Sequence, residues 1–600
     1  MEESDQKDLD AIVDRVVAAA HIERDLILPE DVAYIRQHVL KKPLGVIHIW
    51  ALGVGVVITG EYFGWNFGLP VGGPLGVLIA SLIVCVLYLA WVLALSELSV
   101  AMPFAGGPLA YGRRAVGKCF GFVMGWSMFL ECFFATVGTA LATGGYVAFL
   151  LDPNKPDPRT TTIFAIICAL GFLLLQWVGT REQAAIMVWL TYAAIAALIW
   201  FWLAALPGID LKRIFTHPLL VHGWSGVLGS VPYALWWLVI IETVALASEE
   251  AHEPQVSIPR GLVLAQITLA LLVLLTWFCA SAAAPYLQTG AVDYPLPLVV
   301  KGVWGTGWFS TAFSTVALVG MVVSYNGMIY ATSRQSFSLG RAGYLPKALG
   351  AVHPHRRTPH ISLFVWTGAT IVFIVVGHFY AHATAAAILI STLAAVIWYI
   401  LAMACLFILR RKEPRLCRPY KVPAYPWLPV FVAALAAFAA CVYAWVNVQV
   451  LLPTALLYVG ALIWYGIWSR KNVLSVAPEE VAARIAEELA LRQKRAASEN
   501  HTEKMASVSP MLTKQPAGPT FPVGDSITNT RRWREWLTGA IFLLGILSLG
   551  WMVLRALDIL PAVLPEKVEV VIIMLIWAVL FVVVSSMGLF STARGKAESK

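Results

Sequence analysis

Apolar stretches of twenty or more residues, nearly free of charge, recur along most of this sequence. A helix of about 20 residues crosses a bilayer core. Inside hydrocarbon the backbone must satisfy its own hydrogen bonds, so only helices and closed barrels span. Continuous apolar runs, as opposed to alternating ones, select helices. The expected fold class is therefore an all-α polytopic membrane protein, with the lipid bilayer as its first partner. The chain is 59% hydrophobic and 13% charged, against roughly 45–50% and 25% in soluble domains. A TIM barrel or a soluble dinucleotide-binding fold does not survive that composition.

Twelve spans are expected at about 44–67, 74–101, 119–150, 161–177, 183–206, 227–248, 262–284, 308–340, 360–379, 384–410, 427–446 and 453–468. A polar region follows. Its first part, APEEVAARIAEELALRQKR, has the spacing of a soluble amphipathic helix, and 501–529 is rich in Ser, Thr, Pro and Lys. Two more apolar stretches lie at 536–557 and 568–590. The expected organisation is an N-terminal cytoplasmic segment (1–42), a twelve-span core (43–469), a cytoplasmic helix and linker (470–532), two added spans (533–592) and a cytoplasmic tail (593–600).

Basic residues favour alternate loops. Arg113, Arg114 and Lys118 fall on one side with Arg341, Lys347, Arg356 and Arg357, and with the cluster from Arg410 to Lys421. Other loops carry fewer, such as Lys155 and Arg159, or none. The positive-inside bias places both termini in the cytoplasm. The net charge of +8 thus belongs to loops beside headgroups and implies no nucleic-acid partner. Eight cysteines without CxxC spacing read as small packing residues, not as a disulfide frame or metal site. No cofactor is implied, and no P-loop, HExxH or suitably placed GxSxG marks an enzyme.

Within the first span, 53–66 reads GVGVVITGEYFGWN: four glycines around an acid, Glu61. Glycine lowers the cost of leaving helical geometry. A carboxylate at mid-membrane depth costs roughly 3 kcal/mol or more unless it meets a cavity or partner. A helix that can unwind beside a charge is how transporters build binding sites. Glu131 in span 3 and Glu242 in span 6 are also deep within their spans, and Glu97 lies near the inner end of span 2. These acids could bind a substrate ammonium or carry a proton; equally, each could be neutral or bonded to a neighbouring serine or backbone group. Aromatic rings flank them: Tyr62, Phe63 and Trp65 after Glu61, and Tyr233, Trp236 and Trp237 before Glu242. Such rings attract organic cations by roughly 1–2 kcal/mol when dry, or simply pack. Span 8 is unusually polar, with Ser324, Tyr325, Asn326, Ser333 and Arg334. Ser324 and Asn326 are candidate cavity residues. Arg334 is a candidate gate partner for Glu97 or Glu249.

Four motifs in order resemble the amino acid–polyamine–organocation superfamily: ITGEYF (58–63), LSELSVAMPFAGGPLAYGRRAVG (95–117), WWLVIIETVALASEEAHEPQVSIPRG (236–261) and SRQSFSLGRAGYLPKALGAVHPHRRTPH (333–360). Within it, ITGEYFGWN and SYNGMIYATSRQSFSLGRAG look most like the ethanolamine permease branch. The resemblance covers the first twelve spans. It implies a LeuT-type fold of two inverted five-helix repeats, spans 1 and 6 broken at the substrate, and secondary transport by a proton or by exchange. Ile58 and Ile240 stand where related amino acid transporters often carry break glycines. Amides at such glycines commonly hold a carboxylate. Their loss, with Glu61 added, favours a small cationic amine over an amino acid.

The expected function is thus a permease for a small amine such as ethanolamine, in the plasma (inner) membrane. Thr59, Gly60, Glu61, Tyr62, Glu131, Tyr233, Trp237, Glu242, Ser324 and Asn326 are the candidate substrate residues; Glu242, Glu97 and Arg334 are candidates for proton coupling or gating. The alternatives are an amino acid permease of the same superfamily, or a transporter-like membrane sensor using the polar insert and added spans. Oligomeric state is left open.

Overall fold

The computed structural model describes residues 44–474, apart from 103–105, 179–182, 216–217, 352, 354–357, 381, 415 and 417. The N-terminal segment, all of the 470–532 region after Leu474 including the whole amphipathic helix, the two added spans and the tail lie outside the described residues. By compactness the chain divides into two units, 1–35 with 481–585 and 36–480 with 586–600. Every described residue belongs to the second.

Among the described residues the structure is helical, and nine helices are long and apolar enough to cross a bilayer, with two shorter apolar ones beside them. The principal helices are α1 (Val46–Val57), α2 (Thr59–Tyr62), α3 (Leu69–Ala101), α4 (Lys118–Leu151), α5 (Pro158–Val178), α6 (Gln183–Ala205), α7 (Gly223–Leu235), α8 (Pro254–Ala283), α9 (Trp308–Arg341), α10 (His360–Gly377), α11 (Ala383–Lys412), α12 (Trp427–Val446) and α13 (Val448–Trp464). Most spans fall within a few residues of their expected bounds. Two do not. The second begins at Leu69, running through a kink at Gly73 (φ 70°) that the following Pro74 fixes. The seventh begins at Pro254, well before its apolar run.

Burial sorts the helices. The apolar window of α4 is 83% buried and that of α5 only 22%. α4 is therefore a central helix, ringed by α5, α9 and α11. Exposed Ile163, Ile167, Leu170 and Leu174 on α5, like Val372, Val375 and Val376 on α10, form an apolar outer face suited to lipid. Between helices, lipid offers no hydrophobic drive, so close packing must hold the bundle. Small residues allow it where α3 meets α7: a Cβ on Gly72 would lie 2.7 Å from the Gly226 carbonyl oxygen.

Beyond the spans, the connection between α8 and α9 lies against α4 and α11. Asp293 there packs on Gly145 and faces Thr384 and His382. Burial lifts its carboxyl from 3.8 to about 6. The folded chain thus holds this proton more tightly than the unfolded one. Its contribution is complete below about pH 4 and is lost as pH rises through 6. Asp293→Asn should abolish that fall and melt above the parent at pH 7; thermal melts of purified protein across pH 4–7 read it.

Candidate functional site

The first span is interrupted. α1 stops at Val57, and α2 adds only Thr59–Tyr62. Phe63 then extends (φ −163°, ψ 171°) and Gly64 takes φ 96°. A short 3-10 stretch, Trp65–Gly68, leads into α3. The true break thus lies at Phe63–Gly64, just past the expected acid. Asn66 secures it: its Oδ1 accepts the Gly64 N–H at 2.8 Å, and its Nδ2 donates to the Thr289 and Val292 carbonyls at 2.8 Å each.

Span 6 is interrupted as well. α7 ends at Leu235, residues 236–240 are non-helical, and a 3-10 helix runs Ile241–Glu250. Ile240 sits in the left-handed region at φ 78°. For a β-branched residue this is an outlier that costs on the order of 1–2 kcal/mol. Such strain clusters at functional sites. An isoleucine here does not prevent the break; it makes the break strained.

The two interruptions touch. A Cβ on Gly60 would stand 2.7 Å from the Trp236 carbonyl oxygen and 2.9 Å from that of Trp237. Trp65 stacks on Trp237 at 4.6 Å, Phe63 meets Trp236 edge-on at 5.5 Å, and Phe67 meets Tyr233 at 6.3 Å. Trp237 Nε1 donates to Ser81 Oγ on α3. Together these rings cap the breaks.

Of the expected site residues, Thr59 and Ser324 meet directly. The Ser324 hydroxyl accepts the Thr59 N–H at 3.0 Å and donates to the Gly55 carbonyl at 2.8 Å, tying α9 across the interruption. Tyr62 is locked, donating to the Ala194 carbonyl at 2.7 Å and accepting Tyr146 on its own carbonyl at 2.6 Å. Glu61 is fully buried, and neither carboxyl oxygen closes a hydrogen bond. It faces Thr276 on α8 and Cys85 on α3. Thr276 Oγ1 already accepts from Trp202 Nε1 at 3.3 Å, so its own proton is free to reach the acid.

Glu131 and Glu242 form a second acidic centre. Both are fully buried, within hydrogen-bonding reach of each other. Trp398 Nε1 donates to Glu131 Oε2 at 2.7 Å, and Tyr399 Oη donates to Glu242 Oε1. The Ile240 amide, freed by the break, faces Glu131.

Two expectations are corrected. Asn326 turns away from the breaks; Gln176 on α5 donates to its side-chain and main-chain oxygens at 2.7 and 3.1 Å. A helix places positions two apart on different faces, so Ser324 and Asn326 could not share a cavity. Glu97 pairs with Arg410 and Arg418, not with Arg334. Arg410 grips it through two bonds of 2.9 and 2.5 Å, Arg418 Nε lies at 3.4 Å, and the Val422 N–H adds a third donor at 2.8 Å. Arg334 lies over the Tyr330 ring and donates to its hydroxyl; the side chain of Glu249, its other expected partner, lies outside the described residues.

Sequence reasoning missed Thr276, Tyr399, Trp398, Arg410 and Arg418. The adjacent rings of span 10 and the basic run at its end were visible, but nothing along the chain couples either to an acid hundreds of positions away.

The amino acid permease family model matches residues 44–467. The chain belongs to that family. Over 349 residues this permease is 31% identical to an uncharacterised transporter of Rhizobium meliloti (strain 1021), covering 56% of this chain and 72% of that one. It is 24% identical over 451 residues to the branched-chain amino acid permease BcaP of Bacillus subtilis (strain 168), covering 72% and 94%. A methylthioribose transporter of the same organism is 24% identical over 449 residues, covering 72% and 95%. The permease is accordingly an integral membrane transporter, and the breaks lie in the matched region.

Two substitutions probe this geometry. Gly60→Ala forces its methyl against two carbonyls and should cost about 1–3 kcal/mol, seen as a lowered melting temperature with loss of uptake. Glu97→Gln leaves two arginines without their carboxylate. It should raise labelling of cysteines introduced beside Val422 by a membrane-impermeant thiol reagent.

Proposed function

We propose that this permease is a secondary active transporter for a small ammonium-bearing solute, with an ethanolamine-like amine the leading candidate. The observation that carries this is charge. Glu61, Glu131 and Glu242 are buried around two helix breaks, and among the described residues no Lys, Arg or His forms an ion pair with any of them. Buried carboxylates are ordinarily paired or neutral. Without a fixed cation, they can take a mobile one.

On this reading Glu61 is the counter-charge for the ammonium. Gly60 and Thr59 supply backbone and hydroxyl contacts. Trp237 and Tyr233 close over the solute with Trp65 and Phe67. Glu97 with Arg410 and Arg418 holds the cytoplasmic side shut. The order of helices and the paired breaks support a LeuT-type arrangement of two inverted repeats. Twelve spans would form the core, with two more after residue 532 and both termini in the cytoplasm of a plasma (inner) membrane. Solute would cross by alternating access, coupled to a proton or by exchange.

An amino acid permease is the second reading, favoured by what the relatives are called. Against it, the Thr59 N–H already goes to Ser324 and the Gly64 N–H to Asn66. A substrate carboxylate would have to displace both.

Uptake of labelled ethanolamine into proteoliposomes, with and without a pH gradient, separates the two. Saturable uptake competed by ethanolamine but not by leucine supports the amine; the reverse supports the amino acid. Glu61→Gln should lower amine uptake about 10- to 100-fold, the loss of one charged hydrogen bond. Unchanged saturable uptake would remove Glu61 from the ammonium site.

A further inference from the structure

The Glu131–Glu242 centre has a hydrogen-bond inventory that leaves one vacancy. Glu131 Oε2 accepts from Trp398 Nε1, and Glu242 Oε1 accepts from Tyr399 Oη, which also bonds Tyr88 Oη at 3.0 Å. Glu131 Oε1 and Glu242 Oε2 receive no hydrogen bond. An ionised carboxylate only accepts, so two ionised acids cannot satisfy each other. Like charges at this separation also cannot both stay ionised in a dry site.

We propose that Glu131 and Glu242 hold one proton between them and that this shared proton is the coupling ion of the transporter. The proton closes an O–H···O bond between α4 and the inner half of span 6. Its release leaves two carboxylates, with the proton passing to water. The carboxylates then repel. Glu242 has a waiting donor in Trp91 on α3, whose indole N–H faces it without closing a bond. Glu131 is held by Trp398 and faces the Ile240 amide. Separation therefore bears on the strained turn that joins the two halves of span 6.

The titratable groups facing the pair are Tyr88 from α3, Cys132 from α4, Tyr399 from α11 and Tyr458 from α13. Tyr443 of α12 acts on Tyr88. No Lys, Arg or His among the described residues faces it, so a proton is the cation the site can keep.

This inference rests on the transport reading only for the use of the proton; the proton itself is detectable with no solute present. Infrared difference spectra of the purified protein, taken across a pH titration, report the carboxylic C=O band. Glu131→Gln and Glu242→Gln should each erase the same single band, because the new amide donates to the remaining carboxylate. Two bands, one lost per variant, would overturn the sharing. Tyr399→Phe keeps both acids and removes one donor. If a glutamine variant fails to fold, Tyr399→Phe should still shift the band's midpoint by a measurable fraction of a pH unit, and an unmoved midpoint overturns the proposal. In proteoliposomes, both glutamine variants should lose ethanolamine accumulation driven by a pH gradient. Retained gradient-driven accumulation would overturn the coupling role, while absence of any ethanolamine counterflow in the unmodified protein would instead count against the amine reading.

Discussion

Where the broken first span meets the broken sixth, Gly60 offers no side chain, and two peptide carbonyls fill the space. That backbone-to-backbone approach sets the depth of both breaks. It brings Trp65 onto Trp237 and Phe63 onto Trp236. In a membrane, irregular backbone persists only where protein or a water-filled cavity satisfies it. Here Ser324, Asn66 and the neighbouring carbonyls perform that service. The breaks are held by the Ser324 hydroxyl of α9 and by carbonyls of the connection after α8 that accept from Asn66, and those elements are therefore coupled to any motion of the breaks.

Around this frame the acids divide the work. Glu61 faces α3 and α8 with no basic partner among the described residues. Glu131 and Glu242 face each other inside a cage of tryptophan and tyrosine. Glu97, near the end of α3, is the one of the four with permanent cations among the described residues, a two-pronged Arg410 and a nearby Arg418. A buried pair of this kind adds little net stability but is costly to break one-sidedly. It suits a closure that must hold and release as a unit. The gradation runs from an acid with a fixed ion pair to buried acids with no basic partner among the described residues.

Much of this was legible in the sequence. Apolar run length placed most spans to within a few residues, since hydrocarbon thickness fixes helix length. Glycine spacing around Glu61 located the first interruption, though its centre lies at Phe63–Gly64. The strained turn at Ile240 was harder: a β-branched residue gives no local reason to leave a helix, and only tertiary packing holds it at positive φ. Pairings across the bundle were not legible. Along the sequence Arg334 reads as a partner for Glu97 or Glu249, because all three fall at corresponding ends of their spans. Arg410 reaches Glu97 because the end of α11 folds back through Arg418 and Val422, a path that no local pattern encodes. Asn326 was placed in the site by composition and removed from it by helical phase.

The account depends on Glu61 being a counter-charge that a solute occupies. The most direct measurement is a structure determined with ethanolamine bound. The ammonium nitrogen should lie within about 3 Å of a Glu61 carboxyl oxygen, beneath the Trp65–Trp237 stack. An ammonium held only by the Trp236 and Trp237 carbonyls, with Glu61 still turned to Thr276, would contradict it.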